Sequence, residues 1–299
     1  MALNNPAFNN PAFQEPQAGQ RFPGGTRTAT SAAQAQATDA AAHAQLEGAF
    51  AAPPAGAVET NRMTVEDTVF KTLGLFAILL VGAVVGWIWT FGGLNITEAI
   101  NPTPWIIGAL VGFVLSMVVI FTSRKKIRPA LIFAYAAFQG LFIGGISAFF
   151  EALYGGIVFQ ATLGTLVVVG VTLALFASGK IRASKKATKI FLVAMVGYLV
   201  FSLVNIGLMI FNVPIAGGAF GLSSQPSFLF GIPWGVLIGV FVIIMAAYSL
   251  VLDFDQIQQG VRNGAPRQYA WLGAFGIMVT VIWLYVEILR ILAIARGSN

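Results

Sequence analysis

The sequence predicts an all-α integral membrane protein, a bundle of seven transmembrane helices that follows a disordered N-terminal tail. Of the 299 residues, 57% are hydrophobic and only 9% are charged, whereas about a quarter of the residues are charged in an average soluble domain. Seven apolar stretches after the tail are each long enough to cross a bilayer as a helix. The excess of apolar surface therefore has to face lipid.

Residues 1–62 are predicted to form the tail, on the cytoplasmic side of the membrane. They are low in complexity: NNPAF at residues 4–8 is repeated at 9–13, and an alanine-rich segment runs from 32 to 57. Such a segment buries too little apolar area to offset its conformational entropy. The doubled motif is interpreted either as a docking peptide for a membrane protein partner or as an unstructured tail with no such role.

Residues 63–299 are predicted to form the transmembrane domain. A helix rises about 1.5 Å per residue, so about 20 residues cross a hydrocarbon core of about 30 Å. The predicted helices span residues 70–91, 104–123, 129–150, 156–178, 189–212, 229–254 and 270–294. Gly82 and Gly86, and likewise Gly140 and Gly144, are four residues apart. This spacing puts small residues on one helix face, where they allow close helix packing.

The loops predict the orientation. Links after the second, fourth and sixth helices are basic, and they carry Arg124, Lys125, Lys126, Arg128, Lys180, Arg182, Lys185, Lys186, Lys189, Arg262 and Arg267. The other three links contain no Lys or Arg. Basic loops stay cytoplasmic, which predicts a multi-pass protein of the plasma (inner) membrane with a cytoplasmic N-terminus. Arg296 opposes an external C-terminus, so a re-entrant seventh helix is the alternative. The positive charge is explained by these loops, and we expect no nucleic-acid binding.

Most catalytic chemistry is excluded by composition. The chain has no cysteine, and its one histidine, His43, lies in the tail, so thiol catalysis, histidine relays and zinc sites are not available. We find no nucleophile elbow, zinc-protease motif or phosphate-binding loop. The sequence therefore predicts neither an enzyme nor a cofactor.

Four carboxylates lie in or at the edge of the later helices: Glu151, Asp253, Asp255 and Glu287. An ionisable group in lipid costs at least a few kcal/mol (about 3), so each is a functional candidate. Asp253 and Asp255 are two residues apart and cannot face one cavity; we expect Asp253 to point inward. Glu287 is either functional or simply neutralised by Arg290, three residues later on the same face. Glu151 is either a solvated helix end or an outer-side carboxylate.

A carboxylate at membrane depth can bind a cation, carry a proton, or do both in competition. Calcium prefers oxygen ligands. Burial disfavours the charged form of a carboxyl group, whereas a nearby arginine favours it. Protonation would empty such a site, which predicts pH-dependent passage of cations.

Four stretches together resemble the Bax-inhibitor (TMBIM) family of seven-helix membrane proteins, in its bacterial branch. The resemblance covers about residues 62–296. It is carried by AYAAFQGLFIGGIS at 134–147, FEALYGGIVFQAT at 150–162, LVLDFDQI at 250–257 and LYVEILRIL at 284–292.

The resemblance implies a central seventh helix and a calcium leak gated by pH through two aspartates, one on helix 6 and one on helix 7. The helix 6 aspartate corresponds to Asp253. An arginine that latches the closed state falls at or near Arg124. The position of the helix 7 aspartate matches Thr280, which cannot ionise. Either Glu287, two turns further along, substitutes for it, or the two-carboxylate sensor is absent.

The leading hypothesis is a pH-sensitive cation leak channel with calcium as the permeant ion. Asp253, Asp255 and Glu287 are the candidate ion-binding and pH-sensing residues, with Asp253 as the calcium ligand. Arg124 and Arg290 are the candidate gating counter-ions. Two alternatives stay open: a non-transporting adaptor in stress response or membrane-protein quality control, and a proton-coupled exporter.

Overall fold

The computed structural model describes residues 61–92, 100–211, 220–227 and 231–297. Within these ranges the regular structure is helical, apart from two isolated β-bridges. The seven long helices are α1 (Val65–Thr90), α2 (Thr103–Ser123), α3 (Pro129–Leu153), α4 (Ile157–Ala177), α5 (Lys185–Ile210), α6 (Trp234–Arg262) and α7 (Tyr269–Gly297). A short 3-10 turn, Gly221–Ser224, precedes α6. Of the predicted tail, only residues 61 and 62 lie inside the described ranges.

All seven helices are long and apolar enough to cross a membrane, which confirms the predicted fold class and a multi-pass membrane protein. The largest extensions beyond the predicted spans are in α1 and α6. Helix α1 begins at Val65 rather than residue 70, because Thr64 caps it: Thr64 Oγ1 accepts a hydrogen bond of 3.0 Å from the Asp67 amide. Helix α6 continues eight residues past its predicted end at 254, to Arg262. These added turns are polar, so hydropathy alone does not detect them.

Helix α7 is the most deeply buried of the seven, as the resemblance implied. It packs against α1, α3, α4 and α6. The contacts rely on small residues, since Ala270, Ala274 and Ala293 are completely buried. It is also continuous, and at its far end the Arg296 guanidinium donates to the carbonyl oxygens of Tyr154 and Gly155 in the α3–α4 turn. Helix α7 therefore runs without a break from the α6–α7 loop to the α3–α4 turn.

Helices α1 and α3 are in backbone contact along the two predicted glycine pairs. A methyl group on Gly82 would lie 2.5 Å from the carbonyl oxygen of Ala137. Methyl groups on Gly140 and Gly144 would overlap the carbonyl oxygens of Leu79 and Ala83. Side chains larger than hydrogen would thus push the two backbones apart. The small-residue spacing in the sequence marks this interface correctly.

Helix α5 is the most peripheral helix. None of its residues whose exposure the structure describes is buried. Several of its contacts with the rest of the bundle are hydrogen bonds, and Phe191 also packs against Tyr248. Thr188 shares a hydrogen bond of 3.0 Å with Tyr248 of α6, and Asn205 Oδ1 accepts one of 2.9 Å from the Leu222 amide. Its apolar side chains face lipid.

The three basic links lie towards one end of the bundle, which we call the basic end. The helix termini are brought together here by the contacts of Met63 with Ala265, Phe176 with Phe254, and Ser184 with Tyr248. Arg128 and Leu272 line one small cavity at this end. The basic end is thus the end at which α1 begins and α6 ends. Its cytoplasmic location remains a prediction from the loop charges.

We predict that Gly82→Ala lowers the free energy of unfolding by roughly 1–3 kcal/mol, because the new methyl group meets backbone that cannot move aside. Gly74→Ala is the matched control on the same helix, since nothing lies within 4 Å of a methyl group there. The measurement is unfolding in detergent micelles. Equal stability of the two variants would contradict the close α1–α3 contact.

Candidate functional site

Asp253 lies where α6 faces α7, and a hydroxyl group meets it there. The Thr280 hydroxyl of α7 donates a hydrogen bond of 2.6 Å to Asp253 Oδ2. The Ser249 hydroxyl, one turn before Asp253 on the same face of α6, is 3.4 Å from that of Thr280. Three oxygen-bearing side chains therefore meet between two helices. Hard cations bind to oxygen groups of this kind.

Two glycines of α7 make room for this group. A methyl group on Gly276 would lie 3.2 Å from Asp253 Oδ1, and one on Gly273 would lie 2.9 Å from the Ile257 side chain. With larger residues at these positions, α7 would have to move away from the carboxylate. The glycines therefore bring the α7 backbone close to Asp253.

A cavity of about 190 Å³ borders Asp253 towards the basic end. One water molecule needs only about 10–15 Å³ of such volume, so the cavity has room for a hydrated ion. Its described lining consists of Met63, Asp253, Gln256, Ile257, Gly260, Ala265, Tyr269, Leu272, Gly273 and Gly276. Asp253 is the only ionisable acid in that described lining apart from the phenol of Tyr269.

Asp255 is not among the residues that line this cavity. One of its oxygens accepts a hydrogen bond of 2.6 Å from the Gln259 amide, one turn later on α6. Asp255 forms none of the three ion pairs found among the described residues. Arg262 instead donates to the backbone of Gln258.

Glu287 lies in a separate polar cluster further along α7. It is 3% exposed and forms an ion pair of 2.5 Å with Arg290. The Tyr198 hydroxyl of α5 donates to its second oxygen over 2.9 Å. Gly239 of α6 faces the first oxygen, at 3.3 Å from the position of a methyl group. The carboxylate is thus neutralised and hydrogen-bonded within the protein.

An apolar layer separates the two clusters. Thr280 and Glu287 are seven residues apart, which puts them on one face of α7 about 10 Å from each other. Leu284 lies between them and is completely buried, as are Ala246 and Leu250 of α6. The structure therefore does not bring Glu287 to Asp253.

Two further candidates lie elsewhere. Arg124 is exposed at the end of α2, and the three ion pairs among the described residues do not include it. Its pairing with Asp253 stays a prediction. Glu151 accepts hydrogen bonds from the amides of Gly156 (2.6 Å) and Val158 (3.0 Å). It therefore holds the α3–α4 turn and the start of α4, where unpaired amides favour a negative charge.

One charged cluster at the basic end was not predicted from the sequence. Asp67 of α1 binds Lys71 (2.5 Å) and, through its other oxygen, Arg267 of the α6–α7 loop (2.9 Å). These hydrogen bonds and the negative charge raise the pKa of the Arg267 guanidinium above its usual value. A signal existed, because Thr64 and Asp67 have capping-box spacing and Asp67 and Lys71 have salt-bridge spacing.

A family model described as Bax inhibitor 1 like matches residues 5–297. The chain belongs to the Bax inhibitor 1 like family. The match confirms the family that the sequence resemblance indicated. It also begins earlier than we expected, since it includes most of the N-terminal tail, whereas the motifs start near residue 62. No curated protein matches this family member significantly.

We predict that the Glu287–Arg290 pair is a structural element of this Bax inhibitor 1 like protein. Removing one partner leaves a buried charge unpaired, so Glu287→Gln and Arg290→Met should each cost roughly 3–5 kcal/mol of unfolding free energy. The double variant should cost clearly less than the sum. A double-mutant cycle in detergent measures this coupling.

Asp255→Asn is the control for that cycle, because its carboxylate bonds only a side-chain amide; a change of about 1 kcal/mol or less is expected. Additive effects of the Glu287 and Arg290 substitutions would contradict the structural role.

Proposed function

We propose that this protein is a pH-sensitive cation leak channel in which Asp253 binds the permeant ion or a proton. Calcium is the leading ion. One observation carries the proposal: an acidic side chain without an ionic partner among the described residues borders a cavity of about 190 Å³ between two membrane-crossing helices. Membership of the Bax inhibitor 1 like family supports it.

The chemistry of the site supports competition between a cation and a proton. A charged Asp253 attracts a cation, and the hydroxyl oxygens of Thr280 and Ser249 add neutral ligands of the kind that hard cations prefer. A proton on Asp253 removes the charge that holds the ion. The rest of the coordination would come from water in the cavity.

We propose that a single carboxylate is the sensor. Thr280 occupies the position at which the family resemblance implies a second aspartate, and its hydroxyl donates to the charged form of Asp253. Glu287 does not enter the proposed sensor, because Arg290 and Tyr198 already neutralise and bind it. The pH response would therefore follow one titrating group rather than a coupled pair.

We also propose that the protein lies in the plasma membrane and that its basic end faces the cytoplasm. The positive loops support this orientation, since basic loops are retained on the cytoplasmic side. Asp253 would then be reached from the cytoplasmic side. Arg124, at the same end, carries a charge that could pair with Asp253 in a closed state.

We predict that calcium flux into proteoliposomes changes several-fold for the wild-type protein between about pH 5 and about pH 8, because protonation of Asp253 alters its hold on the ion. Asp253→Asn should remove this dependence, since an amide does not titrate in that range. Flux is measured with a calcium-sensitive dye trapped inside the liposomes.

Asp255→Asn is the matched control, because it makes the same change two residues away on the other face of α6. This variant should keep the wild-type pH profile. If the wild-type protein passes no more calcium than empty liposomes at any pH, the leak function is wrong. If Asp253→Asn keeps the wild-type profile, the sensor lies elsewhere.

A further inference from the structure

The chain just before α1 runs along the α6–α7 loop as a short antiparallel bridge. The Met63 amide donates to the carbonyl oxygen of Ala265 over 2.8 Å, and the Arg267 amide donates to that of Asn61 over 3.0 Å. Arg62 and Pro266 are the paired residues between these bonds. Residues that are far apart in the sequence are thus joined at the basic end.

This bridge puts the Met63 side chain into the wall of the Asp253 cavity. Met63 is 4% exposed and packs against Ile257 and Ala270. Its sulfur is 3.2 Å from the position that a methyl group on Gly260 would occupy. A larger residue at 260 would collide with the methionine. Because Gly260 of α6 has no side chain, Met63 can reach the cavity.

Met63 differs from the rest of the described cavity lining in its attachment. Apart from Ala265 in the α6–α7 loop, the other lining residues belong to α6 and α7. Those helices would have to unwind or separate to open the cavity. Met63 belongs to an extended segment held by two backbone hydrogen bonds, so it can leave with little other change.

An ion pair ties the first turn of α1, directly after this extended segment, to the α6–α7 loop. Asp67 accepts two hydrogen bonds from the Arg267 guanidinium, 2.9 Å from Nη2 and 3.2 Å from Nε. The Arg267 side chain is 48% exposed, and exposed pairs are weak and sensitive to salt. Lys71 reinforces the contact through the Arg267 carbonyl oxygen, at 3.3 Å. A pair of this kind can open and close.

We propose that residues 61–67 form a strap that restricts access to Asp253 from the basic end, with Met63 as its plug and the Asp67–Arg267 pair as its latch. The effect on access follows from the geometry alone. The effect on ion flux rests on the proposed channel function.

Access is tested by thiol labelling of the full chain, which contains no cysteine of its own. Asp253→Cys is treated in detergent with a charged, water-soluble thiol reagent, with and without Met63→Ala. We expect Met63→Ala to raise the labelling rate several-fold and Asp67→Asn to raise it by less. Met63→Leu, which keeps the volume of the plug, should leave the rate unchanged.

Glu66→Gln is the matched control for the latch, since Glu66 is an exposed neighbour of Asp67. If Met63→Ala and Met63→Leu label at the same rate as Asp253→Cys alone, the strap does not restrict access and the proposal is overturned. If Glu66→Gln speeds labelling as much as Asp67→Asn, the latch is overturned.

The effect of the strap on flux is tested with a reversible disulfide between the strap and the α6–α7 loop. In an antiparallel pair of this type the two Cα atoms are about 4.5 Å apart, within the range for a disulfide. Arg62→Cys combined with Pro266→Cys, in proteoliposomes, should pass several-fold less calcium when oxidised than when reduced. Each single cysteine variant should show no redox effect.

Equal flux in the oxidised and reduced double variant, with a wild-type protein that does leak calcium, would overturn the strap as a control on flux. A wild-type protein with no flux would instead overturn the proposed channel. The labelling rates would then still decide whether the strap covers Asp253.

Discussion

Lipid offers no hydrophobic force that drives one apolar helix against another, so this bundle depends on close contact between helix backbones. Glycines on α1 and α3 bring Gly82 to the carbonyl oxygen of Ala137, and buried alanines let four helices pack around α7. The same small residues shape the polar sites, because Gly276 and Gly239 leave the space that the two acidic side chains of the α6–α7 region occupy. Close packing and the placement of charge therefore have one origin.

Asp253 and Glu287 show how differently the same chemical group is surrounded in one membrane protein. Glu287 has an arginine and a tyrosine against it. Asp253 accepts a hydrogen bond from the Thr280 hydroxyl and borders a cavity. The Glu287 carboxylate is paired inside the protein, whereas the Asp253 carboxylate borders a cavity, where we propose that it exchanges ions and protons.

Much of the fold could be predicted from the sequence, because each membrane-crossing helix is a continuous apolar segment that its hydropathy reveals. The ends of α1 and α6 could not, since their outer turns are polar and depend on a cap at Thr64 and on burial of Ile257. Asp253 could be singled out by its rarity in an apolar run. The contact of Met63 with its cavity could not, because it joins positions about two hundred residues apart that share no pattern. The local signals there were the spacing of Thr64 and Asp67 and that of Asp67 and Lys71.

The exposed flank of α5 has a consequence for the whole molecule. Val193, Leu199 and Leu203 each leave more than half of their surface uncovered by protein, and three polar contacts, made by Thr188, Tyr198 and Asn205, tie the helix to its neighbours. Acyl chains therefore complete the packing that protein leaves unfinished. We therefore expect the tilt of α5 to be the first to change with bilayer thickness. Tyr198, which donates to Glu287, links this helix to that buried carboxylate.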